Sequence, residues 1–277
     1  MTTPEQRHPR VAVIGGSGFY EFLQDPTPVT VTTPYGDPSA PIAVGEVAGR
    51  PVAFLPRHGA GHEFPPHRIN YRANMWALRS LGVQQVLAPC AVGGLQPETQ
   101  PGTLVVPDQL VDRTTRRVQT YMDTGAAHAP FADPYCPDLR AALVGAAGND
   151  GRGDALDGGT MVVIEGPRFS TRAESQSYAA AGWTVVNMTG HPEAVLAREL
   201  GLCYATIALV TDLDAGVSAE ESVDQATVFA LFEKHIGRLK ELLGQVVSDL
   251  PPEPGSCGCG AWLDDVTLPF DLPGPPS

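Results

Sequence analysis

The stretch VAVIGGSGFYEF, Val11 to Phe22, decides how the rest of the chain is read. An apolar run from Val11 to Ile14 passes into Gly15-Gly16-Ser17-Gly18, the pattern of a buried strand that ends in a tight turn. A dinucleotide fingerprint needs glycines at G-x-G-x-x-G. Gly16 and Gly18 fit, but the third position is Glu21, whose carboxylate repels a pyrophosphate. The hydrolase elbow G-x-S-x-G fails too, because Phe19 takes the place of its last glycine. What remains is a strand followed by backbone N–H groups and the Ser17 hydroxyl. That arrangement suits a lone phosphate, and it equally suits a glycine turn with no ligand.

Short apolar runs of the same kind recur outward from this stretch: Pro51–Leu55, Gln85–Leu87, Thr103–Val106, Thr160–Ile164, Thr184–Val186 and Tyr204–Val210. Most are bounded by Gly or Pro and rich in Val and Ile, as buried strands of a mostly parallel or mixed sheet are. Helical periodicity predicts helices over Ile69–Leu81, Thr171–Ala181, Pro192–Leu200 and a long final one across Ser222–Leu250. The alternation predicts an α/β chain with a mixed sheet flanked by helices, a single domain over residues 1–277. The Pro/Gly-rich tail from about residue 251 reads as irregular or mobile.

The 277 residues carry a net charge of −13, which argues against nucleic acid as the principal partner. No apolar run approaches the roughly 20 residues that span a bilayer, and the N-terminus lacks a signal peptide's pattern, so the expected location is cytoplasmic. Five scattered cysteines do not make a disulfide framework.

Four further segments hold candidate chemistry. In FLPRHGAGHEFPPHRINYRANMWAL, Arg57 and His58 follow an apolar run directly and emerge at a strand end, with His62, His67, Arg68 and Arg72 close behind in sequence. Arginine suits bidentate contact with an anion, and the histidine spacing matches no compact zinc pattern. A solvated basic loop is the alternative. In APCAVGG, Cys90 to Gly94 place small residues after a strand, where backbone amides approach a ligand or simply turn. In IEGPRFSTRAES and VVNMTGHPEAVLARELG, Phe169 precedes one helix and Met188-Thr189 another, so Phe169 suits a flat ring and Thr189 an anion. In IALVTDLDAGVS, Asp212 and Asp214 lie just past a strand, and D-x-D serves equally for Mg²⁺, a turn cap or a base edge.

Taken in order, GGSG, PRHG, NMTGHPEAVLARE and VTDLD resemble the methylthioadenosine phosphorylase branch of the trimeric purine nucleoside phosphorylase family, from about Val11 to Leu250. The resemblance implies the nucleoside phosphorylase type of mixed sheet and a homotrimer. It implies a phosphate site of Ser17, Arg57, His58, Ala91 and Thr189. It implies a nucleoside site in which Phe169 covers the purine, Met188 lies along the ribose, Asp212 and Asp214 meet the base edge, and Ser170 and Asn187 stand close by. His128 matches a position that reaches the neighbouring subunit's sugar pocket, and Val223, Val228 and Phe229 are candidates for the 5′ pocket, with helix core as their other reading.

The reaction so implied is phosphorolysis of 5′-methylthioadenosine, with inorganic phosphate as co-substrate and no cofactor or metal. Adenine presents an acceptor at N7 and a donor at N6, so a protonated Asp212 and an ionised Asp214 match it. A 6-oxopurine would leave polar groups unpaired. The alternatives are a phosphorylase of adenosine, inosine or guanosine, and a non-catalytic purine-binding protein. NMTGHPE also occurs in relatives that act on 6-oxopurines, Cys90 stands where some relatives carry a hydroxyl, and the Cys257-Gly258-Cys259 motif is read as two reduced thiols, redox use being the alternative.

Overall fold

The computed structural model describes residues 8–16, 19, 22–125, 127–153, 155–215, 225–251, 253–255 and 257–275. Ser17 and Val223 lie outside the described residues.

The centre of the fold is β5 (Gln85–Gly94), buried almost throughout. It lies parallel to β1 (Val11–Gly15) on one edge and to β11 (Cys203–Leu213) on the other. From β1 the sheet continues through β4 (Arg50–Pro56), β3 (Ile42–Val47) and β2 (Gln24–Val29). Past the far end of β5 it continues through β10 (Val185–Asn187), β9 (Thr160–Ile164) and β7 (Gln109–Arg113). β6 (Leu104–Val106) and β8 (Leu156–Asp157) extend it from β11. Parallel and antiparallel pairs are mixed, as expected.

Strand alternation divides the core. Val11 and Val13 of β1 face one cluster together with Ala205, Ile207 and Leu209 of β11; Ala12, Ile14 and Tyr204 face the other. The first cluster is covered by α2 (Pro137–Asn149) and α5 (Gln225–Asp249), the second by α1 (Tyr71–Ser80) and α4 (Gly190–Glu199). On α5, Leu239, Leu242, Leu243, Val246 and Val247 recur at helical spacing and are all buried. Each fully buried side chain of this size stabilises by about 1.5–3 kcal/mol. Leu243→Ala would cost about 2–5 kcal/mol through the cavity it leaves.

Every predicted strand and helix forms, but five further elements do: β2, β3, β7, β8 and α2. The tail also departs from expectation. Among its described residues it is irregular apart from a short 3₁₀ turn over Ala261–Asp265, yet it is seated on the domain. Trp262 is buried and its indole Nε1 donates to Arg198 O at 3.0 Å, while Phe270 packs on Trp76 and Tyr121. A large aromatic surface outweighs the poor propensity of the surrounding Pro and Gly.

Candidate active site

The site arises where the sheet changes partners. On one edge, β5 is paired with β1 from Gln85 to Leu87 and with β10 only at Gly93 and Gly94. Among the described residues no strand covers that edge between these points. Such a switch in an open α/β sheet is where ligands bind. Side chains take two carbonyls in the gap: Arg57 Nη1 donates to Pro89 O at 3.3 Å and Asn187 Nδ2 to Ala91 O at 3.2 Å. A strand residue turns its N–H and C=O to the same edge, so the Ala91 N–H also faces the gap.

A cavity of about 220 Å³ lies over this gap, and its lining brings together most of the residues singled out in the sequence. Gly16 and Arg57 meet there because β1 and β4 run parallel in register, Gly15 opposite Pro56, with Arg57 N donating to Gly15 O at 2.9 Å. Arg57 is 2% exposed. Its Nε donates to Glu193 Oε1 at 2.5 Å and its Nη2 to Glu193 Oε2 and Ile14 O, both at 3.1 Å. Burial works against the guanidinium charge, but the Glu193 carboxylate more than restores it. With Pro89 O as well, four of the five N–H bonds are engaged among the described residues, which leaves one, on Nη1, for the cavity that Arg57 lines. Glu193 was not anticipated. A buried arginine needs a buried anion, and that requirement was its only sequence signal.

His58 is pushed down to about 4, chiefly by burial, with the Arg57 charge adding to it. Its Nδ1 lies 2.8 Å from Phe64 O, so in the neutral ring Nδ1 carries the proton and Nε2 is an acceptor. His62 stacks on it at 4.4 Å, and Phe229 meets His62 edge-on at 5.9 Å. The other basic residues of this segment do not join the cavity. Arg72 forms a two-oxygen pair with Asp123 at 2.9 Å, and His67 and Arg68 sit in a 3₁₀ turn. The dense charge in the sequence is thus one site and one separate ion pair, not a single basic loop.

Asn187 lines the cavity but directs its carboxamide at the backbone. Its Oδ1 accepts from Thr189 N at 2.7 Å and Gly190 N at 2.6 Å. That fixes Thr189, buried, at the entry to α4 with its hydroxyl beside the cavity. Met188 lies alongside and packs under Gly166, where a Cβ would come within 2.7 Å of the Met188 sulfur.

The far end belongs to the aspartates. β11 bulges between Val210 and Asp212, which pair with Val92 and Gly93. Such a bulge re-aims the side chain that follows it. Asp212 accepts from Thr211 Oγ1 at 2.8 Å. Burial, reinforced by the Asp214 charge, pushes Asp212 up to about 6. Asp214 is also raised, by burial. Asp214 Oδ2 and the hydroxyls of Ser170 and Ser175 form no hydrogen bond among the described residues, though the serines' proximity tempers the rise. Phe169, about one-third exposed, stands at the rim next to Ser170. Val228, Phe229 and Phe232 of α5 supply an apolar wall, so Val228 belongs to the cavity rather than to the helix core alone. His128 is exposed and lies outside the lining of this chain's cavity.

Along β5, Arg57 marks Pro89, Asn187 marks Ala91 and Asp212 marks Gly93. Pro89 to Gly93 is about 13 Å of strand. One end offers donors to an anion, the other buried carboxyls to a polar ring edge.

The matching family model is the Phosphorylase superfamily, over residues 10–250. S-methyl-5'-thioadenosine phosphorylase of Mycobacterium tuberculosis is 59% identical, with 95% of this chain and 97% of the relative covered. Purine nucleoside phosphorylase of Streptomyces coelicolor is 56% identical over 95% and 97% of the two chains. Among solved structures, methylthioadenosine phosphorylase from Schistosoma mansoni in complex with adenine is similar at a TM-score of 0.85 and 38% identity, with 92% of this chain and 96% of that one covered. The sheet, the cavity at its switch point and these matches agree: the chain belongs to the phosphorylase superfamily.

Proposed function

We propose that the chain cleaves 5′-methylthioadenosine with inorganic phosphate, giving adenine and 5-methylthioribose 1-phosphate. One observation carries this reading: donors suited to an anion and a pair of buried aspartates share one cavity, about 13 Å apart along β5. That length accommodates a phosphate, a pentose and a purine in line.

In this reading phosphate is held by the remaining Arg57 Nη1–H, His58 Nε2, the Ala91 amide and the Thr189 hydroxyl, with Ser17, next after Gly16 in the sequence. Its oxygen attacks C1′ as the glycosidic bond breaks, and the bond's electrons leave on the purine. Protonated Asp212 donates to N7 as that charge develops, and ionised Asp214 accepts from N6. Phosphate brings the nucleophile and the purine takes the electron pair, so the step balances without a cofactor or metal. Phe169 covers the ring and Met188 the ribose. The Val228, Phe229 and Phe232 wall favours a methylthio group over a 5′-hydroxyl, to which these three side chains offer no hydrogen bond.

A homotrimer in which His128 completes a neighbouring cavity is part of the same proposal, as is a cytoplasmic location. Among the described residues no helix is long and apolar enough to cross a membrane. A nucleoside panel assayed with and without phosphate tests the reaction. Turnover of methylthioadenosine only with phosphate supports it, whereas a strong preference for inosine favours a 6-oxopurine phosphorylase and binding without product a non-catalytic protein. Analytical ultracentrifugation tests the trimer.

A further inference from the structure

Four of the five cysteines, scattered along the sequence, meet in the fold away from the cavity. The Sγ atoms of Cys136, Cys203, Cys257 and Cys259 all lie within 4.8 Å of one another. Three separate segments bring them there. Cys136 precedes α2 as its N-cap residue, and its N–H donates to Tyr204 O at 2.8 Å, which sets it beside Cys203, the first residue of β11. Cys257 and Cys259 come from the tail. Gly258 between them has φ of 72°, a left-handed conformation that turns the chain so that both flanking thiols reach the same point. Cys257 Sγ is 3.4 Å from Cys203 Sγ. The tail is fixed just beyond by Ala261 N to Gly258 O at 3.1 Å and by the seated Trp262 indole.

We propose that Cys136, Cys203, Cys257 and Cys259 form a tetrahedral four-thiolate site for a zinc ion, which fastens the C-terminal segment to β11 and α2. Zinc bound to thiolates at about 2.3 Å sets its sulfurs about 3.8 Å apart. The Sγ atoms, none more than 4.8 Å from another and one pair at 3.4 Å, need to move by at most about 1 Å to reach that value. A tetrahedral donor set made only of sulfur suits zinc or an iron–sulfur centre, and zinc is the common ion of closed four-cysteine structural sites. Binding releases four protons as four thiols become thiolates around one Zn²⁺, so the group carries a net charge of −2. Arg79 lines the same cleft as Cys203, Cys257 and Cys259, and its cation offsets that charge. None of the four cysteines lines the active-site cavity, and four protein ligands leave no open position for substrate. The role is structural: the ion closes two chain loops, from Cys136 to Cys203 and from Cys203 to the tail, around one point.

The test uses the full chain purified anaerobically without chelator. Elemental analysis should find about one zinc per chain, and zinc-edge X-ray absorption should show four sulfurs at about 2.3 Å. The double variant C257S/C259S should lose the ion and melt roughly 5–10 °C lower. The variant C90S, which alters the one cysteine outside the group, should keep the ion. If the double variant does not fold, the wild-type metal content and absorption spectrum decide alone. Absence of stoichiometric zinc, even after the reduced protein is incubated with zinc chloride, overturns the proposal. So does a mass 2 or 4 Da low, which reports disulfides in its place.

Discussion

Arg57 and Glu193 form a buried, two-armed ion pair in which both partners are shielded from solvent and Tyr204 gives the carboxylate a third bond at 2.9 Å. An arginine at a substrate cavity is usually read as reaching for the ligand. Here most of its hydrogen bonds are spent inside the protein, and the one left over is aimed with little freedom. That is positioning bought before the ligand arrives. E193Q should therefore raise the phosphate KM about tenfold or more while moving the nucleoside KM little. It should also lower stability by about 3–5 kcal/mol, because a buried guanidinium loses its counter-charge. Steady-state kinetics in each substrate, beside a urea melt, separates the two effects.

Asp212 gives a prediction about pH. Its carboxyl, at about 6 against an ordinary 3.8, is needed in the protonated form to meet N7. At saturating phosphate, kcat/KM for methylthioadenosine should fall about tenfold per pH unit above about 6, since the free enzyme loses that proton. D212N keeps a donor at every pH and should flatten this limb while lowering the maximum, because an amide cannot give its proton up.

The same shift has a stability consequence of opposite convenience. A carboxyl whose folded pKa is raised binds its proton more tightly in the native state than in the unfolded one. Native stability thus grows as pH falls from above 6 toward 3.8, and the burden at pH 8 is about 3 kcal/mol or somewhat less, given residual exposure. D212N should be more stable than the wild type at pH 8, and the gap should close near pH 4. Paired thermal melts across that range measure it.

How legible was all this in the sequence? The deep strands were plain because β1, β9 and β11 are buried on both faces and read as unbroken apolar runs. β2 was not, since QDPTPV is an exposed edge strand with two prolines and almost nothing apolar to report. α2 hid for another reason: PDLRAALVGAAGN buries only Leu139, Leu143 and Ala147, and its alanines and glycines spread no clear stripe. At the site, Arg57, His58, Thr189, Phe169 and the two aspartates were visible as polar or aromatic residues at element ends. Glu193 was hidden because a glutamate in the first turn of a helix is ordinarily a solvated residue favoured by the helix dipole. Asn187 carries a second task that the sequence did not signal. The resemblance set it close to the nucleoside site, and it does line the cavity, but its amide also holds the backbone of Thr189 and Gly190.

His58 makes a prediction about proton traffic. With Nδ1–H committed to Phe64 O and the ring held neutral down to about 4, Nε2 enters phosphate binding as an acceptor. A bound dianion reverses the balance of charge and draws a proton onto that nitrogen. Calorimetric titration of phosphate near pH 7, in two buffers of different ionisation heat, should therefore show proton uptake approaching one per site. The uptake should vanish in H58N. Wild-type binding without uptake would mean that the hydrogen in the contact comes from the phosphate itself.

Gly93 ties the base end to the sheet. It pairs with Asp212 across the bulge, and a Cβ placed on it would stand 3.0 Å from Val186 Cγ1, 3.2 Å from Asp212 Oδ1 and 3.2 Å from Asp214 Cβ. Those separations are tighter than most real Cβ contacts but within their range, so G93A should fold, with the neighbours displaced by a few tenths of an ångström. Both displaced neighbours on the ligand side are the aspartates. Because hydrogen-bond strength depends steeply on geometry, the loss should fall on the purine: nucleoside KM up and kcat down, together about tenfold to a hundredfold in kcat/KM. Phosphate KM, governed by Arg57 some 13 Å along β5, should stay within about twofold of wild type. An equal loss in both substrates would instead mean that the bulge and the gap move as one unit, and that the two ends of the cavity are not separately built.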